Sequence, residues 1–185
     1  FHVKTALRFT GADYTKDEAI EITQKEHTYY VPLKSRPDFV RFDPELSVFK
    51  SLDFDKPKDM FKAQLEKDPT AYGRYEACLG LGKLRDDDAV DALKKALDND
   101  AFWGVRARAA EALAGMDNPK AETAAAAALS QPEARVRLAA AKALAKAKDD
   151  ATKAALADRV AHDESPYVVA ACIDSLSQQL DTKHV

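Results

Sequence analysis

Over the first forty positions apolar residues alternate with polar ones, and from about residue 58 they recur three and four positions apart. The first period predicts strands and the second predicts helices. "FHVKTALRF" sets Val3, Thr5, Leu7 and Phe9 on one side, and "AIEITQK" does the same with Ile20 and Ile22. "HTYYVPL" and "DFVRF" read as a third and a fourth strand, and "GADYTKDE" as a turn. Four strands with one apolar face need a cover. Polypeptide preceding Phe1 is the expected source, because the chain starts without Met, in mid-strand. Asp43-Pro44 ends the sheet, since proline cannot donate to a ladder. The stretch "ELSVFKSLDFDKP" is an apolar linker that should pack.

The helical part repeats. "RYEACLGLGKL" (74–84), "RARAAEALAGM" (106–116) and "RLAAAKALAKA" (137–147) align on their arginines, and "VAACIDSLSQQ" (169–179) keeps the pattern without one. Leu81, Leu113, Leu144 and Leu176 share one position, and Ala77, Ala109, Ala140 and Cys172 another. Cys78, Ala110, Ala141 and Ile173 share a third. Ahead of each runs a second helix, registered on Phe61, Leu93, Ala125 and Leu156, with Leu65, Leu97, Leu129 and Val160 four residues on. A pair of short helices cannot bury its own face, but stacked pairs can. The segments Asp100–Ala114 and Ala134–Leu144 resemble HEAT repeats of the short type found in phycobilin lyases and many bacterial proteins.

The expected fold is therefore α+β in two units. A small antiparallel sheet spans 1–43, a packed linker 44–57, and an α-solenoid of four HEAT-like helix pairs 58–185.

Composition narrows the function. The net charge is only −3, from 28 basic and 31 acidic side chains, which argues against a nucleic-acid partner. No run of 18 apolar residues suggests a membrane span, and the opening residues do not form a signal peptide, so a cytoplasmic location is favoured. Cys78 and Cys172 replace alanines three repeats apart, about 30 Å, beyond disulfide reach. His2, His27, His162 and His184 lack metal-site spacing. "GLGKL" lacks the phosphate-loop spacing, so Gly82 reads as a helix-end or close-packing residue. "RDDDAVDALKK" reads as a helix start with acids toward the dipole. No catalytic, cofactor-binding or metal-ligating residue is assigned. The candidate contact surface is Trp103, in the turn "FWG", with Arg106 and Arg137; the other reading of Trp103, and the favoured one, is a cap on the neighbouring repeat. The repeat arginines also have a structural reading. Asp68 and Asp100 precede Arg74 and Arg106 by six residues, so an Asp–Arg pair could staple a turn or bridge units; the third copy has Gln131 there.

A second resemblance concerns the junction. Residues 18–57, with Pro37, Val40, Asp43, Pro44, Leu52, Phe54 and Pro57, resemble the end of the β-sandwich of M1-family zinc aminopeptidases. Residues 64–81 resemble the start of their helical domain. The resemblance implies a non-catalytic C-terminal portion of such an enzyme, with zinc in the parent catalytic domain. Its partners would be the missing N-terminal and catalytic domains and the parent's peptide substrate, whose access it would limit. None of the catalytic motifs of that family occurs here. The alternative is an independent HEAT-repeat scaffold for protein–protein interaction. The first reading expects an orphaned sheet face and the second a self-sufficient sheet.

Overall fold

The computed structural model describes residues 2–181. Phe1, His184 and the end of the expected solenoid at 185 lie outside them. The sheet has three strands, β1 (Val3–Thr10), β2 (Thr15–Ile22) and β3 (Phe39–Phe42), in the order β2-β1-β3, all antiparallel.

The expected third strand, 27–33, is not a strand. β3 lies on the side of β1 away from β2, so the chain leaving β2 must cross β1 before it can pair. Side chains rather than a ladder hold the crossing stretch. The Tyr29 hydroxyl donates to the Glu21 carbonyl at 2.7 Å, Tyr14 to Ser35 at 2.7 Å and Lys16 to Pro32 at 3.1 Å. His27 Nε2 accepts from the backbone of Thr23 and Gln24 at 3.0 Å each. The expected turn 11–18 is also shorter, since β2 begins at Thr15. Lys16, Asp17 and Glu18 sit on an edge strand, where charge blunts further pairing. Arg8 clamps Asp17 there through two bonds of 2.7 Å.

Leu7, Phe9 and Val40 share the apolar face and are half-buried. Tyr29 and Val31 of the crossing stretch and Phe54, Pro57 and Met60 of the linker and first helix line a cavity of about 430 Å³ against them. Part of the cover expected from preceding polypeptide thus comes from the chain itself.

Four helix pairs follow, as the periodicity predicts. They are α1 (Lys58–Lys67) with α2 (Ala71–Gly82), α3 (Asp87–Asn99) with α4 (Trp103–Ala114), α5 (Pro119–Ala127) with α6 (Ala134–Ala143), and α7 (Asp150–His162) with α8 (Pro166–Asp181). Short 3-10 turns extend α5 and α6. Side chains of Thr70, Asp86, Asn118 and Asp149 cap helix starts. The second helices pack closely on one another in order, while the first helices touch more sparsely. Ala77, Ala109, Ala140 and Cys172 are fully buried in that inner row. Gly80 extends the close packing, since a Cβ there would collide with the Phe61 ring. Gly82 ends α2, and a Cβ on it would lie 3.1 Å from Ala112 Cβ. Both cysteines are buried and free, and burial pushes the thiols up, Cys78 to about 12 and Cys172 to about 11.

Arginines connect the pairs. Arg74 clamps Asp100 of the next unit at 2.7 and 3.0 Å, and donates to its own turn's Asp68 carbonyl at 3.0 Å. Arg137 repeats this, with Asp163 at 2.7 and 2.9 Å and the Gln131 and Pro132 carbonyls at 2.9 Å each. Each aspartate also accepts from the amide two residues on, Asp100 from Phe102 and Asp163 from Ser165, at 2.9 Å. β3 supplies the first rung. Arg41, buried, pairs with Asp68 at 3.5 Å and donates to the Thr70 hydroxyl at 2.9 Å.

Truncating one member of a desolvated pair leaves the other charge without a partner. The Asp163 side chain is fully buried against Arg137. Asp163→Ala is therefore expected to cost about 3 kcal/mol in urea unfolding. Lys94→Ala, which removes an exposed pair with Asp98, should stay within about 0.5 kcal/mol. Equal effects from the two substitutions would show that the ladder carries no special load.

Candidate functional site

A concavity with both buried charged groups and an apolar rim lies where the linker passes α2. It is a cavity of about 580 Å³, bounded by Arg41 and Phe42 of β3, linker residues 50–56, Phe61 of α1, and Tyr72, Glu76, Leu79 and Gly80 of α2. Local chemistry holds the linker open. Asp43 follows β3 with φ of 50°, in the left-handed region that few side chains adopt. Its buried carboxylate accepts from Ser47 N–H at 2.9 Å, the Ser47 hydroxyl at 2.6 Å, Thr5 Oγ1 at 2.8 Å and Val48 N–H at 3.1 Å, with Lys50 Nζ at 2.5 Å. Burial opposes its charge, but the bonds from Lys50, Ser47 and Thr5 hold the carboxyl well below the usual range. The Asp-Pro step thus folds the linker's start into a knot and sends the rest across α2.

Lys56 is the polar centre of the floor. Its ammonium nitrogen donates to Gln64 Oε1 and, at 2.9 Å, to the Val40 carbonyl. It lies 5.0 Å from the centre of the Phe54 ring and 4.8 Å from that of Phe61. Gln64 is fully buried, and its amide is fixed by donating to the Gly73 carbonyl at 2.8 Å. Desolvation lowers Lys56 to about 8, against the opposing pull of Glu76 and Asp68. Burial likewise raises the Glu76 carboxyl, although Arg41 Nε stands 3.3 Å from it. Four large apolar side chains on the rim, Leu52, Tyr72, Leu79 and Leu84, stay exposed.

The residues singled out from sequence lie elsewhere. Trp103 is the first residue of α4 rather than part of the turn; it is half-buried, beside Phe102, with the Arg135 guanidinium 4.8 Å from its ring centre. Arg106 donates to the Asp100 carbonyl at 2.7 Å, and with Gln131 in the aspartate position its Nε has no hydrogen-bond partner. Arg137 is engaged in the ladder. The three are not gathered into one concavity with the junction residues. No group of three His, Cys, Asp or Glu is placed to hold a metal among the described residues, and no described helix is long and apolar enough to cross a membrane. Sequence reasoning misses Arg41, Lys56 and Glu76. The available signals are an arginine inside the apolar strand "FVRF" and a lysine in "FDKP" beside aromatic residues.

The lysine has a measurable signature. Between pH 8 and 10.5 the unfolded chain keeps the Lys56 proton while the folded chain has released it, so stability rises with pH. Below pH 8 the full cost of burying the charge is present. The stability of wild type relative to Lys56→Met should therefore rise across this window, with a slope of at most about 1.4 kcal/mol per pH unit. Comparison with the variant removes the opposing contribution of the buried thiols. Urea unfolding at pH 7.5, 9 and 10 checks it, and a flat difference would mean an ordinary solvated lysine.

Comparison with known proteins bears on the whole solenoid. No curated protein matches the chain. Among solved structures, human deoxyhypusine hydroxylase in complex with glycerol is similar with a TM-score of 0.59 and 23% identity, over 69% of this chain and 44% of that one. The complex of CpcE and CpcF of phycocyanin lyase from Nostoc sp. PCC7120 is similar with a TM-score of 0.56 and 29% identity, over 76% of this chain and 60% of that one. The chain thus spans about half the length of the structures it resembles. HEAT repeats match residues 59–121 and 90–177, which run through all four helix pairs, and the chain belongs to the HEAT-repeat family.

Proposed function

We propose that the chain is a protein-binding HEAT module whose partner docks at the junction of sheet and solenoid. The observation that carries this is the rim of the junction cavity. Leu52, Tyr72, Leu79 and Leu84 expose 37 to 45% of their surface around one concavity. Single exposed apolar residues need no explanation, but several around one hollow favour a binding surface. Farther along the solenoid the large exposed apolar side chains Phe102, Tyr167 and Ile173 line neither this cavity nor the one against the sheet. One of the similar structures is itself a complex of two proteins, which fits a module that acts through a partner.

The aminopeptidase reading has one observation in its favour, the half-open apolar face of the sheet. Its junction motif has a local explanation here, since Asp43 and Pro44 build the linker turn. Neither of the two similar structures named above is an aminopeptidase, and the scaffold reading is the one supported better.

Selection of a random peptide library on the folded chain tests the proposal. Enriched peptides should carry apolar anchors and lose at least about tenfold in affinity against Leu79→Glu, a loss of about 1.4 kcal/mol. Lys95→Glu, on the outer face, should bind as wild type does, and both variants should keep the wild-type circular dichroism. Peptides that bind Leu79→Glu unchanged, or no enrichment at all, would remove the junction as the docking surface.

A further inference from the structure

We propose that Lys56 is a nucleophilic lysine, whose ε-amine condenses with the carbonyl group of a small aromatic aldehyde admitted to the junction cavity. The argument starts from the partners of the nitrogen. A neutral amine has two N–H donors and one lone pair, and an ammonium has three donors. Two acceptors are in place, Gln64 Oε1 and the Val40 carbonyl, and both are uncharged. Gln64 cannot turn to offer its amide nitrogen instead, because that nitrogen is committed to the Gly73 carbonyl. The set therefore satisfies a neutral amine completely and leaves its lone pair without a bond. The Phe54 and Phe61 rings attract a cation but supply no acceptor.

Other lysines of the chain are held differently. Lys50, Lys58, Lys62, Lys67, Lys83 and Lys95 each meet a carboxylate within 3.2 Å, whereas the two acceptors on Lys56 are uncharged. The charged groups acting on Lys56 are Glu76 and Asp68, which favour the ammonium, and Arg41, which disfavours it; burial outweighs them and brings the group to about 8. A desolvated lysine in an apolar pocket is the arrangement that makes an amine a nucleophile near neutral pH.

The chemistry balances without an oxidant or a metal. The ammonium gives a proton to water. The amine nitrogen then bonds to the carbonyl carbon, and the resulting carbinolamine loses water to leave an imine. The apolar walls formed by Phe42, Phe54, Tyr72 and Leu79 suit an aromatic ring, and a cavity of about 580 Å³ has room for one. This inference does not depend on whether a polypeptide docks on the rim.

The test uses 2-hydroxybenzaldehyde at limiting concentration and pH 7.5, with borohydride trapping and peptide mass spectrometry. Lys56 is expected to be labelled at least tenfold more than any other lysine, with a pH midpoint near 8. Labelling spread evenly over the lysines, or concentrated on an exposed one, would overturn the proposal. Gln64→Glu should suppress Lys56 labelling at pH 7.5 and move its midpoint upward, because a carboxylate holds the proton. Should that variant not fold, the distribution of label in the wild-type chain decides alone.

Discussion

A short helix that turns back on itself ends in carbonyls that no amide of its own can reach. In this chain the last carbonyls of the first helix in a pair are met by an arginine from the first turn of the second helix, six residues on. Arg74 reaches Asp68, Arg106 reaches Asp100, and Arg137 reaches Gln131. The other edge of the guanidinium points to the next unit, and in two of the three cases it meets an aspartate there through two parallel bonds. One side chain thus closes its own turn and sets the height of its neighbour. Stacked repeats depend on nearest-neighbour terms, and here the polar part of that term is fixed by a planar group with little angular freedom.

The sheet enters the same scheme. Arg41 comes from β3, yet it stands 3.5 Å from Asp68 at the place where Arg74 meets Asp100, without the two parallel bonds of that pair. The strand therefore takes the place of a preceding repeat and caps the solenoid at its first pair. Where the ladder lacks a carboxylate, at Gln131, the coupling is made differently. Gln131 donates to the Leu97 carbonyl of the unit before it, and Arg135 lies over Trp103 of that unit. The aromatic residue that stands out in "FWG" is thus engaged by the neighbouring repeat across the weakest rung.

Much of the solenoid is legible in the sequence because each repeat position has a single physical demand. Positions that face a neighbouring inner helix need small side chains, so alanines recur there, and Cys78 and Cys172 fit the same space. The fourth copy departs at Ile173, which is half exposed, since no further helix pair follows α8 among the described residues. The sheet is less legible. Alternation reports a face but not a neighbour, and nothing in "HTYYVPL" says that β3 must pair on the far side of β1. Tyr29 and Val31 satisfy an alternating pattern by roofing the sheet instead of joining it. The junction cluster is hidden for a related reason. Arg41, Gln64, Lys56 and Glu76 are ordinary surface residue types, scattered over 36 positions between Arg41 and Glu76. Only the packing of a strand against a helix pair brings them together.

That packing also explains why the cavity exists where it does. A full helix pair would cover α2 along its length, as α4 is covered by its neighbours on both sides. A four-residue strand cannot do so, and the linker that completes the cap is pinned at one end by Asp43 and at the other by Pro57, which precedes α1. Between these points it spans α2 with bulky but discontinuous contacts, while Gly80 lets α2 pack directly on the Phe61 ring at the cavity wall. The hollow, its apolar rim and the lysine in its floor are consequences of capping a solenoid with a sheet. Replacing the cap by another helix pair would conserve the ladder and abolish the hollow, so the hollow belongs to the cap and not to the repeat.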